Sequence, residues 1–288
     1  MIDPATLEQL EVCVLAALDS GRSAGLDIVD YGEISTVLAA DGTDGPVVCK
    51  RLPVMTRAQL AVYEQVLSDY VRTLRDRGLT VAPSEVHSVG SDPVTPYCVQ
   101  PRYDRLLAED LRSGDPGLIE RRVARLCELV VTAARRGVGI DAQVSNWAVV
   151  NDGLVYLDVT TPLLQDAGGK QRVDLGMFIA SLPWLMRWPV RRFLLGEILS
   201  HYHTPRPALL DAAGNLHKER ATAALPAFLD AANAHVDPPI TAGEANKYYR
   251  RDAVMWEVLQ RLRRADRWWQ RRVRRRRYPF LLPGTIER

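Results

Sequence analysis

The sequence predicts an α+β fold of two lobes, a small, mostly β N-lobe carrying one helix and a larger helical C-lobe. Three observations lead there. Five short β-prone runs, separated by turn clusters and a single helical pattern, fill the first hundred residues. Pro101-Arg102-Tyr103 then breaks the strand pattern as a hinge would. Beyond it the periodicity is helical and punctuated by prolines, with one hairpin inside it. At 288 residues, 47% hydrophobic and 25% charged, the chain has an ordinary globular composition and is long enough for two modest lobes around a cleft.

Met1 to Leu18 reads as an amphipathic helix. It carries Asp3, Glu8 and Glu11 and lacks the basic start of a signal peptide. Leu26–Val29 and Ile34–Ala40 are strand runs on either side of Tyr31-Gly32, and the cluster Asp41-Gly42-Thr43-Asp44-Gly45 turns the chain into Val47–Leu52. Thr56 is placed to cap a helix running to about Arg77, with Gly78 as its stop. Leu60, Tyr63, Leu67, Tyr70, Val71 and Leu74 recur on it at helical spacing. Glu85–Val89 and Tyr97–Gln100 complete the strands of an N-lobe spanning residues 1–100.

The C-lobe, residues 101–288, begins with a helix from Pro116 to Arg136. Trp147–Val150 and Leu154–Leu157 flank Asn151-Asp152-Gly153, a strong hairpin signal. From Gly176 to Gln270 the pattern is that of packed helices. No apolar run reaches the roughly 18 residues that a membrane-spanning helix requires. Cys13, Cys49, Cys98 and Cys127 are dispersed among apolar neighbours with no metal spacing, so buried free thiols in a reducing cytoplasm are expected. Arginine in place of lysine through most of the chain is the codon signature of a GC-rich bacterial genome.

The chemistry concentrates in residues 139–162. Gly139-Ile140-Asp141-Ala142-Gln143-Val144-Ser145-Asn146 precedes the hairpin, and Tyr156-Leu157-Asp158 ends it. Phosphoryl transfer from a nucleotide needs one carboxylate to orient the acceptor hydroxyl. It also needs an amide oxygen and a second carboxylate to hold Mg²⁺. Asp141, Asn146 and Asp158 can supply those roles in that order. Glu64 breaks into the stripe of Leu60, Leu67 and Val71, where an ionised carboxylate is costly without a partner. Glu85 and Asp69 are weaker candidates for the same pairing.

The D-x-x-x-x-N spacing followed by a hairpin and Asp resembles the catalytic and metal loops of aminoglycoside phosphotransferases and other kinase-like enzymes, over roughly Leu26 to Pro162. The resemblance implies a kinase-like two-lobe fold using ATP (or GTP) and Mg²⁺. It puts Asp141 at the catalytic-base position, with Asn146 and Asp158 as metal ligands. Lys50 on the third strand goes to the nucleotide phosphates and pairs with a helix carboxylate, for which Glu64 is the candidate. Backbone amides from Gly32 to Ser35 cover the phosphates, and the hinge from Gln100 to Tyr103 receives the base. Three departures stand out. Gly139 replaces a histidine, Asp158-Val159-Thr160 replaces D-F-G, and Gln143 stands where protein kinases carry lysine, which favours a small-molecule kinase.

The expected activity is therefore phosphate transfer to an alcohol group of a small molecule. A first alternative is a kinase acting on Ser/Thr of a peptide, as in lanthipeptide pathways. A second is a pseudokinase that only binds or scaffolds, which a Lys50 turned away from Glu64 would favour. Residues 251–288 hold 12 Lys/Arg against 4 Asp/Glu, on a body that is mildly acidic. About Arg250 to Arg277 forms one basic helix. Its Met255, Trp256, Leu259, Leu262, Trp269 and Val273 either pack on the C-lobe or flank a surface for an anionic partner. Nucleic acid is the least supported partner, since no binding module accompanies the charge. His201 and His203, two apart, point away from each other on a helix and make no metal pair. Asp174 is read as a helix cap.

Overall fold

A computed structural model describes residues 2–21, 25–32, 35–135, 137–174, 176, 179, 182–189 and 200–284. The fold is α+β. An antiparallel sheet in the first third has the order β1-β2-β3-β6-β5. Its strands are β1 (Ile28–Tyr31), β2 (Thr36–Gly42), β3 (Gly45–Arg51), β5 (Glu85–Val89) and β6 (Thr95–Pro101). β2 and β3 form a hairpin closed at Gly42 and Gly45, and β6 pairs with β3 with Cys98 opposite Lys50. The turn cluster read from Asp41 to Gly45 therefore sets the register that centres Lys50 in the sheet.

Helix α1 (Pro4–Ser20) starts at Asp3, whose carboxylate accepts from the amides of Ala5 and Thr6, and ends at Gly21 in the left-handed region. Its Leu7, Val14 and Leu18 pack on Leu38, Val47, Cys49, Tyr97 and Val99 of the sheet. Glu11 is driven into that contact. Arg51 meets it with two 2.8 Å bonds, and the Tyr97 and Thr95 hydroxyls donate to the same carboxylate.

Helix α2 (Arg57–Asp76) begins with a reciprocal capping box between Thr56 and Gln59, and the chain turns at Gly78 with φ +81°. Its apolar face belongs to the larger core. Leu60, Tyr63, Val66, Leu67, Tyr70 and Leu74 pack with residues of the C-terminal helices. A boundary at residue 100 thus cuts through a continuous core. A two-residue strand, β4 (Thr80–Val81), lies parallel to β8 and joins it to β7. This strand and the short α3 (Leu107–Arg112) carry too little pattern to be legible in the sequence.

Helix α4 (Pro116–Ala133) leads to a 3₁₀ turn at Val144–Asn146 and the hairpin of β7 (Trp147–Val150) and β8 (Gly153–Tyr156). Asn151 and Asp152 both have positive φ, the primed turn that matches strand twist. Arg122 holds this turn, donating to the Asp152 carbonyl and carboxylate while pairing with buried Asp110 at 2.8 Å. The helical remainder includes α5 (Trp184–Pro189), α6 (Pro205–Lys218), α7 (Leu225–Asn233) and α8 (Ala242–Arg272). Cys49, Cys98 and Cys127 are buried free thiols, and Cys13 is half-buried.

The basic helix corrects one expectation. α8 forms, but its buried residues are Ala245, Gln260, Arg263 and Asp266. Met255, Trp269 and Val273 of the expected packing stripe are exposed, and Trp256, Leu259 and Leu262 are only half-buried. The reason lies in what α8 packs against. Its buried face presents Arg263 and Asp266 toward the Tyr278 side chain, so that face is polar and the apolar residues fall elsewhere on the helix.

Candidate active site

The backbone of one residue, Leu157, organises the site. The Leu157 carbonyl accepts from Lys50 Nζ at 2.9 Å and from Gln100 Nε2 at 2.9 Å. The Leu157 N–H donates to the Asn146 carbonyl at 2.9 Å. β3, β6 and the 141–146 loop are thereby fixed to the residue that precedes Asp158. Lys50 Nζ lies 3.5 Å from Asp158 Oδ1, which also accepts from Thr160 Oγ1 at 3.0 Å.

The 141–146 loop is held from several sides. Asp141 Oδ1 accepts from the Gln143 amide at 3.1 Å, and Asn146 Nδ2 donates to the Asp141 carbonyl at 3.5 Å. The Asp141 amide donates to the Tyr156 hydroxyl at 3.3 Å, and the Tyr70 hydroxyl lies nearby. Tyr70 Oη donates to the Gly139 carbonyl at 2.9 Å, and Tyr63 Oη donates to the Thr160 carbonyl at 3.0 Å. Burial, then the negative charge of neighbours that include Asp158 and Asp141, pushes the Tyr156 hydroxyl well above its ordinary value. Helix α6 closes the far side. Asn215 Oδ1 accepts from the Val144 amide at 2.8 Å, its Nδ2 donates to Gln143 Oε1 at 3.2 Å, and Gln143 Nε2 donates to Asp211 at 3.4 Å.

Sequence reasoning missed Tyr63, Tyr70, Tyr156, Asn215 and Asp211, all of which read as core or surface residues. Only the three tyrosines gave a signal, since a buried phenol needs a partner.

Glu64 is not the partner of Lys50. It is exposed on α2, and among the described residues no ion pair joins the two. The buried face of α2 centres on Tyr63, Val66 and Tyr70, which leaves Glu64 on its flank. The weaker candidates are engaged elsewhere, Asp69 with Arg72 and Arg172 and Glu85 with His87.

Gln100, expected at a base-binding hinge, is buried and spends its side chain on Ser84 Oγ and the Leu157 carbonyl, each at 2.9 Å. Pro101 has no N–H, and the Arg102 N–H is committed to the Pro46 carbonyl at 3.0 Å. Tyr103 packs with Leu106 and Leu157 on a small apolar cluster of Ala82, Ala148 and Val155. Gly32 sits against Ser35, where an added Cβ would meet Ser35 Oγ at 2.9 Å. Glu33 and Ile34 lie outside the described residues.

Gly139 is enclosed. A Cβ there would fall 3.0–3.1 Å from Leu163, His203 and Tyr202. Asp174 accepts from the Gly176 amide at 2.8 Å, as a cap does.

As a donor set, Asp158 and Asn146 offer hard oxygens. Among the described residues neither Asp158 Oδ2 nor Asn146 Oδ1 has a hydrogen-bond partner, which suits a cation of the Mg²⁺ type. No group of three or more His, Cys, Asp or Glu among the described residues could hold a metal. A hollow of about 500 Å³ between α2 and β5 is lined by Glu64, Leu67, Val71, Arg75, Ser84 and Val86. Lys50, Asp141 and Asp158 do not line it. The convergence of polar groups, not cavity size, marks the site.

The chain belongs to DUF6206, a family of unknown function, whose profile matches residues 9–267. No curated protein matches it.

Proposed function

We propose that this DUF6206 chain has a kinase-like arrangement and transfers a phosphoryl group from ATP or GTP to a hydroxyl of a small molecule. The observation that carries the reading is the backbone of Leu157. It gathers Lys50, Asp158 and the loop of Asp141 and Asn146, residues up to 108 positions apart. The sheet order β1-β2-β3-β6-β5, with α2 following the lysine strand, supports the same arrangement.

In this mechanism Lys50 leaves Asp158 for the nucleotide phosphates. The small cluster under Tyr103 and Leu106 takes the base by apolar contact, and the turn at Gly32 and Ser35 covers the phosphates with amides. Asp158 and Asn146 would hold Mg²⁺, which would neutralise charge on the phosphates. Asp141 accepts the proton of the acceptor hydroxyl or orients it. Its own position is fixed through Tyr156, Gln143 and Asn215. Tyr248 lies close to Asp211, Asp252 and Asp141, so the acceptor end of the site is acidic and favours a small acceptor bearing positive charge.

A second reading, a pseudokinase that binds or scaffolds, is favoured by one observation, the Lys50 that does not meet Glu64. Calorimetry with Mg-ATP and Mg-GTP separates the two. Micromolar binding that collapses in Asp158→Ala, with Asp141→Asn binding nucleotide but transferring no phosphate, is the expected result. A folded protein that binds neither nucleotide sinks the enzyme reading and leaves the scaffold.

A further inference from the structure

α8 is amphipathic in the reverse sense. Its buried face carries Gln260, Arg263 and Asp266, at 1%, 4% and 6% exposure. Its outer face carries Val254, Met255, Val258, Trp268, Trp269 and Val273, all between 42% and 60% exposed. Met255, Val258, Leu262, Ala265 and Trp269 follow one another at steps of three and four, so these apolar residues form a stripe along one side.

Cations flank it. From residue 242 to 277 there are 13 Lys/Arg against 4 Asp/Glu, a net +9. Arg272, Arg274, Arg275 and Arg276 are exposed, and none is in an ion pair among the described residues. The crowding is felt locally. Partial burial, then Arg271 and Arg264, push the Arg267 guanidinium below its ordinary value.

We propose that this outer face of α8 is a docking surface for an anionic lipid bilayer, on which the protein lies peripherally. Charge and apolar character together select the occupant. A second copy would set one strongly cationic helix against another. A nucleic acid would answer the arginines but give Val254, Met255 and Val258 nothing to bury against. A bilayer interface takes all three features, with valine and methionine entering the acyl boundary, tryptophan at headgroup level and arginine on acidic phosphates. No helix among the described residues is long and apolar enough to cross a membrane. Docking is therefore on the surface.

The test is co-sedimentation of the full chain with vesicles of pure phosphatidylcholine and with vesicles containing about a third phosphatidylglycerol. Binding to the second and not the first is expected, weakening as salt rises. Trp268→Ser with Trp269→Ser should weaken it about tenfold or more. Each arginine removed in Arg272→Gln, Arg275→Gln, Arg276→Gln should weaken it about fivefold. Unchanged thermal melting of these variants shows that folding is not the cause, since every substituted side chain is exposed.

The proposal is overturned by failure to sediment with acidic vesicles, by equal binding to both compositions, or by binding indifferent to the tryptophans. It is overturned equally by a dimer in lipid-free buffer that the tryptophan variant dissociates, or by binding to an oligonucleotide alone.

Discussion

Glu11 shows how much one buried charge depends on its surroundings. Burial alone would raise its carboxyl, but Arg51, with the Tyr97 and Thr95 hydroxyls, outweighs that and holds it below the ordinary value of 4.5. A depressed folded value means the stabilisation is complete above the unfolded value and is lost as pH falls through the folded one. Denaturation midpoints measured downward from pH 6 should therefore fall, and Glu11→Gln should flatten that part of the slope. An unchanged slope would show that the carboxylate is not held as described. Glu11→Ala should cost about 3–5 kcal/mol, because it strands the Arg51 guanidinium. Gly139 makes the opposite case, a position where nothing can be added. Gly139→Ala should cost about 1–3 kcal/mol by overpacking against Leu163, Tyr202 and His203, read as a shift in urea midpoint. A neutral result would mean that the loop relaxes without strain.

The element that most governs the site is α2, and it does so through tyrosines. Tyr63 and Tyr70 each reach a carbonyl beside a loop that carries an acidic residue, so losing either hydroxyl leaves a buried acceptor unpaired. Tyr70→Phe should destabilise by about 1–3 kcal/mol, whereas Glu64→Gln should change stability by less than about 0.5 kcal/mol and leave nucleotide affinity unaltered. If Glu64→Gln abolished binding, the assignment of Lys50 to Asp158 would be wrong.

The same helix shows what was legible in the sequence. Thr56, Gln59 and Gly78 mark its ends by local chemistry that needs no partner to be known. Which side of it is buried depends on the whole fold. Glu64 shares a helical stripe with Leu60 and Leu67, yet the core settles on Tyr63 and Tyr70 next to it. Asp141, Asn146 and Asp158 could be read because turn and hairpin signals bracket them. Lys50 could be placed on its strand, but its partner arrives from 108 residues away, across contacts no local pattern encodes. α8 fails differently, because an apolar stripe in sequence does not say whether it faces the protein.

At the scale of the molecule, two apolar cores are joined by more than the sheet. α8 packs on α6 at one end. At the other, Arg271 donates to the Asp19 carbonyl, Arg277 pairs with the Asp19 carboxylate, and Leu281 packs on the core beneath α1. Exposed ion pairs contribute little, so Asp19→Asn should change stability by under about 1 kcal/mol. Tyr278, only 3% exposed, carries the attachment, and Tyr278→Ala should cost about 3 kcal/mol or more in chemical denaturation. Equal effects from the two variants would shift the attachment from packing to charge. With 31 residues, α8 spans roughly 46 Å. A rod of that length fastened at both ends ties the C-terminal helices to α1 along a path that bypasses the sheet.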